Sequence, residues 1–181
     1  MTERPTRLFT IGHSDRTLDS LIYLLESSSI KMVADVRSNP ASGRFPHFDR
    51  VSLASALDDR GISYRWFRSL GGRRDPSVED DEHTALPAEI RSYACYLNTE
   101  TVQSAVEDLV GLGASAVTAI LCAEKDPKFC HRNLLADKLY ILGVRVVHIL
   151  DSRTAYLHEP HPDLVSDGCR LIYRKKQLQL L

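Results

Sequence analysis

The sequence predicts a three-layer α/β fold in which a mostly parallel, doubly wound sheet has helices on both faces. Short apolar segments of strand length alternate with amphipathic segments of helix length over residues 7–151, which is the pattern of repeated βαβ units. Most of the apolar runs are nearly continuous, as in strands buried on both faces. The length of 181 residues suits one domain, so we expect a single domain over 1–181 with its core at about 7–151 and a peripheral C-terminal segment at 152–181.

Five segments are rich in apolar, β-branched and aromatic residues and are predicted to be the strands. Each is five to seven residues long and is followed by glycine or polar residues. In chain order they are Arg7–Ile11, Met32–Val36, Ile62–Phe67, Ala116–Leu121 and Val144–Leu150. Arg170–Arg174 is a candidate further strand at the edge of the sheet.

Apolar residues recur three and four positions apart in the segments between the strands, which predicts helices. Thr17 is a suitable N-cap for the first helix, and Thr99 is a suitable N-cap for the most regular one, which we expect to end at Gly111 and Gly113. The predicted helical segments are Leu18–Leu25, Leu53–Gly61, Pro87–Leu97, Thr99–Gly113 and Arg132–Leu142.

The composition excludes several classes of protein. A hydrophobic content of 43%, a charged content of 26% and a net charge of −1 are ordinary for a globular chain, and they argue against disorder and against a generally basic protein. The polar N-terminus is not followed by the apolar stretch of a signal peptide, and no apolar run is long enough to cross a membrane. We therefore expect a cytoplasmic protein whose four cysteines are reduced.

Ionisable and nucleophilic residues follow the predicted strands, where ligands bind in open α/β sheets. They are Gly12-His13-Ser14, Asp35-Val36-Arg37, Tyr64-Arg65-Trp66, Cys122-Ala123-Glu124 with Cys130-His131-Arg132, and Asp151-Ser152-Arg153. Because the carboxyl ends of parallel strands lie at one edge of a sheet, these groups are expected to converge on one site.

Several of these motifs resemble a known family. Ile11-Gly12-His13-Ser14, Asp35-Val36-Arg37, Leu70-Gly71-Gly72 and the segment from Cys122 to Arg132 are similar to the domain of unknown function 488 family, as are Pro40, Pro46 and Phe48 in the loop between them. The resemblance covers roughly Arg7 to Asp151. It supports the fold and the choice of residues but implies no particular reaction.

The candidate site residues divide by chemistry. Cys122 is expected to be a nucleophile or a redox thiol, because His131, Arg132 and the start of a helix favour its thiolate. The acid–base candidates are Glu124, His131, His13 and Asp35. The candidates for binding the substrate are Arg37, Arg132, Arg44, Ser14 and Cys130.

Other interpretations of the same residues stay open. Cys122 and Cys130 are also consistent with buried structural residues or a reversible disulfide. Together with His131 and His13 they offer soft ligands for zinc, although the spacing is wider than in common zinc motifs, so we expect no metal and no other cofactor.

The sequence favours an enzyme, of the cysteine-dependent transferase or hydrolase kind, acting on a small anionic molecule that is nucleotide-like or phosphorylated. The loop over residues 38–49 is a candidate lid for its site. The alternative is a non-catalytic module that binds nucleotide or nucleic acid, since aromatic residues and arginines are interleaved near the third strand. Those residues are Arg65, Trp66, Arg68, Arg73 and Arg74. A third class is an interaction protein without chemistry.

Overall fold

A six-stranded sheet forms the centre of the protein, with strand order β3-β2-β4-β1-β5-β6. The computed structural model describes residues 6–41, 43–74 and 81–175. The strands are β1 (Arg7–Gly12), β2 (Met32–Asp35), β3 (Ser63–Trp66), β4 (Thr118–Cys122), β5 (Arg145–Ile149) and β6 (Ala155–Leu157). Strands β1 to β5 are parallel, and β6 pairs antiparallel with β5 at the edge. The five predicted strands are confirmed within two residues at each end.

Helices cover both faces of the sheet, which confirms the predicted three-layer α/β architecture. They are α1 (Leu18–Ser27), α2 (Arg50–Asp58), α3 (Ala88–Tyr96), α4 (Glu100–Ser115) and α5 (Arg132–Ile141). Leu21 of α1 and Leu53 of α2 belong to one buried apolar cluster, whereas residues of α3, α4 and α5 belong to a second. Among the described residues, no helix is both long and apolar enough to span a bilayer.

The topology creates a crevice between β1 and β4. These neighbouring strands are parallel, but the chain leaves β1 toward β2 on one side and leaves β4 toward β5 on the other. The connections after the two strands therefore diverge. In doubly wound sheets, such a switch point at the carboxyl ends of the strands is where ligands bind.

Two details of α4 differ from the prediction. The helix continues through Gly111 and Gly113 to Ser115. At Gly113 a Cβ atom would lie 2.6 Å from the Leu8 side chain, so this glycine allows close packing of the helix on β1 and does not end it. Thr99 precedes the helix, but its hydroxyl donates to the Tyr96 carbonyl and makes no side-chain cap.

The C-terminal segment also differs. The predicted edge strand Arg170–Arg174 forms β8 (Arg170–Tyr173), but it pairs with β7 (Leu164–Asp167) in a separate hairpin. The edge of the main sheet is instead β6, which the sequence analysis missed. At three residues, with two of them exposed, β6 carries little apolar signal.

A chain of buried polar side chains connects β1, β5 and α5. His158 Nε2 donates to the Asp137 carboxylate at 2.9 Å, and its Nδ1 then accepts from His148 Nε2 at 2.9 Å. The remaining nitrogen of His148 accepts from the Thr10 hydroxyl at 2.7 Å. Burial lowers the pKa of His148 to about 3, so this imidazole is neutral in the folded protein.

We expect the protein to lose stability on mild acidification because of two buried histidines. Burial lowers the pKa of His148 to about 3 and that of His13 to about 4, below the value of about 6.5 in an unfolded chain. The unfolded chain therefore binds more protons below pH 6.5. Each histidine should remove about 2 kcal/mol of stability between pH 7 and pH 5. Urea unfolding at these pH values measures the loss, and an unfolding midpoint that stays constant or rises would contradict it.

Candidate functional site

A cavity of about 630 Å³ opens at the carboxyl ends of β1, β2 and β4. It therefore lies at the switch point of the sheet. Its lining residues come from the segments that follow these three strands and from the start of α5. They are His13, Ser14, Asp15, Arg37, Ser38, Asn39, Ala41, Arg44, Phe45, Cys122, Ala123, Glu124 and His131. Seven of the ten residues predicted for the site are in this wall; Asp35, Cys130 and Arg132 are not.

Two thiols and an imidazole form the chemical centre of the site. Cys122 is the last residue of β4, and Cys130 precedes α5 after a 3₁₀ turn at Pro127–Phe129. Nδ1 of His131 lies 3.8 Å from the Cys122 sulfur and 3.7 Å from the Cys130 sulfur. Both cysteines are free thiols, so the structure holds them as a dithiol with a nitrogen acceptor beside it.

The two thiols have opposite electrostatic environments. The hydrogen bond from the Cys122 thiol and the nearby Arg132 guanidinium lower the pKa of Cys130 to about 7, against the effect of burial. The same hydrogen bond, together with burial, raises the pKa of Cys122. The environment of the pair therefore favours a thiolate at Cys130, whereas the sequence predicted it at Cys122.

The orientation of His131 is fixed from two sides. Its Nε2 donates to the Val36 carbonyl at 3.0 Å, which leaves Nδ1 as an acceptor facing the sulfurs. On the other side, the chain at Gly72 passes so close that a Cβ atom there would lie 2.3 Å from the imidazole. The loop that contains Gly72 therefore leaves room for this imidazole only because the position lacks a side chain.

His13 and Ser14 lie on the opposite side of the switch point. Pairing with β4 continues past the end of β1, since the amide of Ser14 donates to the Ala123 carbonyl at 2.7 Å. Ser14 has a φ of 49°, an uncommon conformation for a residue with a side chain. His13 Nδ1 donates to the Ser14 carbonyl, and its Nε2 accepts from Arg37 at 3.4 Å. Because burial lowers the pKa of His13 to about 4, it is a neutral acceptor at the cavity wall.

Asp35 lies beneath the cavity and not in its wall. Its carboxylate is fully buried and accepts from Arg37 Nε at 2.9 Å, from Arg37 Nη2 at 2.6 Å and from the Tyr64 hydroxyl at 2.6 Å. Arg37 Nη1 donates to the Phe48 carbonyl at 2.8 Å. Asp35 therefore orients Arg37 and is not placed to take a proton from a ligand in the cavity, which was one of its predicted roles.

Arg132 does not reach the cavity to bind substrate as predicted, whereas Glu124 lies in the cavity wall. Arg132 is buried and donates to the carbonyls of Glu124 and Lys125, at 2.5 and 2.7 Å, so it holds the loop after β4 and does not reach the cavity as an anion ligand. It also contacts the Cys130 sulfur at 3.8 Å. Glu124 is exposed and lines the cavity, whereas the Val36 carbonyl, and not Glu124, orients His131.

The loop over residues 38–49 forms one side of the cavity. Arg44 and Phe45 line it, and the Arg44 guanidinium lies over the Phe45 ring at 5.2 Å. Phe48 packs against His13, with ring centroids 4.4 Å apart. Ser38, Asn39, Ala41 and Asp15 also line the cavity but were not predicted; their position directly after β1 and β2 was the available signal.

The centre also has the ligand types that a soft metal ion takes. The two sulfurs and His131 Nδ1 lie within 4.8 Å of one another, and a backbone carbonyl fixes the other imidazole nitrogen. His13 does not complete this set, because its Nε2 faces Arg37. The arrangement therefore offers three protein ligands within reach of one ion.

Comparison with known proteins identifies a family but no characterised relative. Searches of curated proteins and of solved structures returned no match. A family model described as Domain of unknown function DUF488 matches residues 17–139, which include Arg37, Gly72, the dithiol and His131. The chain therefore belongs to the Domain of unknown function DUF488 family.

Proposed function

We propose that the protein is a cysteine-dependent transferase or hydrolase that acts on a small anionic substrate of a nucleotide-like or phosphorylated kind. One observation carries the proposal: the Cys122 thiol and the His131 imidazole lie in the wall of a cavity that also contains Arg37 and Arg44, and the Cys130 thiol lies beside that imidazole. A nucleophilic thiol needs a proton acceptor within reach and an electropositive surrounding, and this site has both.

Cys122 is the nucleophile in this proposal because its sulfur, unlike that of Cys130, belongs to a residue in the cavity wall. As Cys122 Sγ bonds to the electrophilic carbon or phosphorus of the substrate, its proton passes to the Cys130 sulfur or to His131 Nδ1. The leaving group departs with the electron pair of the broken bond and takes up that proton. Water, or an acceptor molecule in a transferase, then cleaves the bond to sulfur and regenerates the thiol.

The other residues of the wall provide charge and hydrogen bonds. Arg44 is exposed and offers its guanidinium to an anionic group, whereas the charge of Arg37 is paired with Asp35, so Arg44 is the main anion ligand in this proposal. Ser14 and the neutral His13 provide further hydrogen-bonding groups. Glu124 is the carboxylate best placed to activate a water molecule, since it is exposed and lines the cavity.

The proposal is tested with p-nitrophenyl phosphate and p-nitrophenyl acetate as substrates. The wild-type protein should release p-nitrophenol and carry a covalent adduct on Cys122 that intact-mass and peptide spectrometry detect after an acid quench. Cys122→Ser should lose the adduct and at least about 100-fold in rate, as expected for loss of an activated nucleophile. Cys169→Ser removes an exposed thiol and should change neither the adduct on Cys122 nor the rate.

Two results would contradict the proposal. If Cys122→Ser keeps the wild-type rate, Cys122 is not the nucleophile. If a chelator abolishes the activity and zinc restores it, the thiols act as metal ligands and not as free nucleophiles.

A second candidate is a module that binds nucleotide or nucleic acid without chemistry. The observation that favours it is a group of arginines stacked on Trp66 beside the cavity. In that case binding would be unaffected by Cys122→Ser, and neither aryl ester would be turned over.

A further inference from the structure

We propose that the substrate is one nucleotide of a single-stranded nucleic acid, and that the neighbouring nucleotides of the strand bind a basic wall beside the cavity. This inference rests on the proposed function, because it names the substrate class for the same cavity. The wall, called here the arginine strip, consists of Arg44, Arg50, Arg68 and Arg73 together with Trp66.

The arginine strip is continuous with the cavity through specific contacts. Trp66 Nε1 donates to the Arg37 carbonyl at 2.9 Å, and Arg37 lines the cavity. The amide of Arg73 donates to the Ser38 hydroxyl at 2.9 Å, and Ser38 also lines the cavity. A ligand that extends from the cavity past Arg37 or Ser38 therefore comes directly to a residue of the strip.

The strip carries positive charge that no carboxylate neutralises in the part of the chain the structure describes. All four arginines are exposed, and none is in an ion pair there, unlike Arg60, which pairs with Glu26. The carboxylates of the cavity, Asp15 and Glu124, follow β1 and β4, whereas the strip follows β2 and β3. Against a net charge of −1 for the whole chain, this is a local concentration of charge that suits a polyanion.

The stacking surfaces favour a single strand over a duplex. The guanidinium of Arg50 lies 5.0 Å from the centre of the Trp66 ring, and that of Arg68 lies 5.9 Å from it. Unpaired bases stack on aromatic rings and on arginine planes, whereas the bases of a duplex do not expose their faces. An acidic peptide would use the charge but not these flat surfaces.

The cavity itself has the size for one nucleotide. Its volume of about 630 Å³ is in the range of pockets that hold small-molecule ligands, and it is too small for several nucleotides. Arg44, the exposed arginine of its wall, lies on the side of the strip because it follows β2. A nucleotide in the cavity would therefore place its phosphates toward the strip and its reacting group toward Cys122.

Trp66 provides a direct measurement, because it is the only tryptophan in the chain. Titration with a twelve-nucleotide oligothymidylate at 50 mM salt should quench its fluorescence in a saturable way. If four arginines contact phosphates, the slope of log affinity against log salt should be about −3, which is a roughly 50-fold loss of affinity between 50 and 200 mM. A duplex of the same length and poly-glutamate should bind more weakly.

Single and double arginine-to-glutamine variants separate the strip from the rest of the surface. Arg50→Gln combined with Arg68→Gln should reduce the magnitude of the slope by about 1.4, since two phosphate contacts are lost. Arg60→Gln removes the same kind of charge from an exposed arginine that follows α2 and pairs with Glu26, and it should leave the slope unchanged.

Three results would overturn the inference: no saturable quenching at 50 mM salt, equal binding of the duplex or of poly-glutamate, or an equal effect of Arg60→Gln and a single strip variant. These outcomes are distinct from failure of the proposed function. Cys122→Ser should retain oligonucleotide binding while it loses chemistry, whereas Arg50→Gln combined with Arg68→Gln, both outside the cavity wall, should weaken binding and retain turnover of p-nitrophenyl acetate.

Discussion

Asp35→Asn is expected to destabilise the protein by about 3–5 kcal/mol, because it leaves the Arg37 guanidinium buried without a counter-charge. The carboxylate is fully buried and the arginine side chain is 6% exposed, so water cannot replace the lost partner. The substitution also weakens the hydrogen bonds from Arg37 and Tyr64. Chemical denaturation at pH 7 measures the loss.

Glu26→Gln is the matched control for this experiment. It makes the same acid-to-amide change in the ion pair with Arg60, whose side chains are 45% and 47% exposed, and should cost less than about 1 kcal/mol. The double variant Asp35→Asn with Arg37→Met should recover part of the lost stability, since no buried charge remains. If Asp35→Asn and Glu26→Gln lowered the free energy of unfolding by the same amount, the buried pair of Asp35 and Arg37 would not stabilise the site.

Gly12→Ala is expected to disrupt the crevice between β1 and β4. A Cβ atom at this position would lie 1.8 Å from the Glu124 carbonyl oxygen, and the obstacle is backbone that Arg132 holds in place. Overpacking against side chains already costs about 1–3 kcal/mol, so a backbone clash should cost at least about 3 kcal/mol. Urea unfolding measures this cost.

Gly111→Ala is the control for Gly12→Ala. Gly111 is in α4, and a Cβ atom there meets nothing within 4 Å. Because alanine is the better helix former, this change should raise stability by about 0.5–1 kcal/mol. If both glycine variants had the same stability, the close approach of β1 to the loop after β4 would be wrong.

Much of the site was predictable because parallel strands end at one edge of a sheet. His13, Arg37 and Cys122 belong to different strand ends, and the order of strands brings these ends together. The prediction needed only the positions of the strands, which apolar runs indicate well. It did not depend on knowing which strands are neighbours.

The directions of individual side chains were not predictable in the same way. Alternation at the end of β2 places Asp35 and Arg37 on one face of the sheet and is consistent with an ion pair between them, but it does not say that Asp35 lies deeper than Arg37. Arg132 follows two site residues in sequence, yet its guanidinium turns to the carbonyls of the preceding loop. The direction of such a side chain depends on the packing around it, and it produces no periodic pattern in the sequence.

The contact between Gly72 and His131 is a further example. The two residues are far apart in sequence, and only the folded chain shows that the glycine makes room for the imidazole. The pairing of Cys122 with Cys130 likewise depends on the short turn between β4 and α5, where the Asp126 side chain accepts from the Lys128 amide and redirects the chain. The sequence indicated both cysteines and left a reversible disulfide between them among the alternatives.

The pH dependence of thiol alkylation tests the central claim, an activated thiol pair at the cavity, most directly. Native protein is treated with iodoacetamide from pH 5 to pH 10, and peptide mass spectrometry follows each cysteine, with the exposed Cys169 as an internal reference. We expect labelling within the Cys122–Cys130 pair to begin near pH 7, at lower pH than that of Cys169, and to shift upward in His131→Gln. If both cysteines of the pair stay unlabelled until the protein unfolds, or label only at the pH of Cys169, the thiols are not activated and the account of the site is wrong.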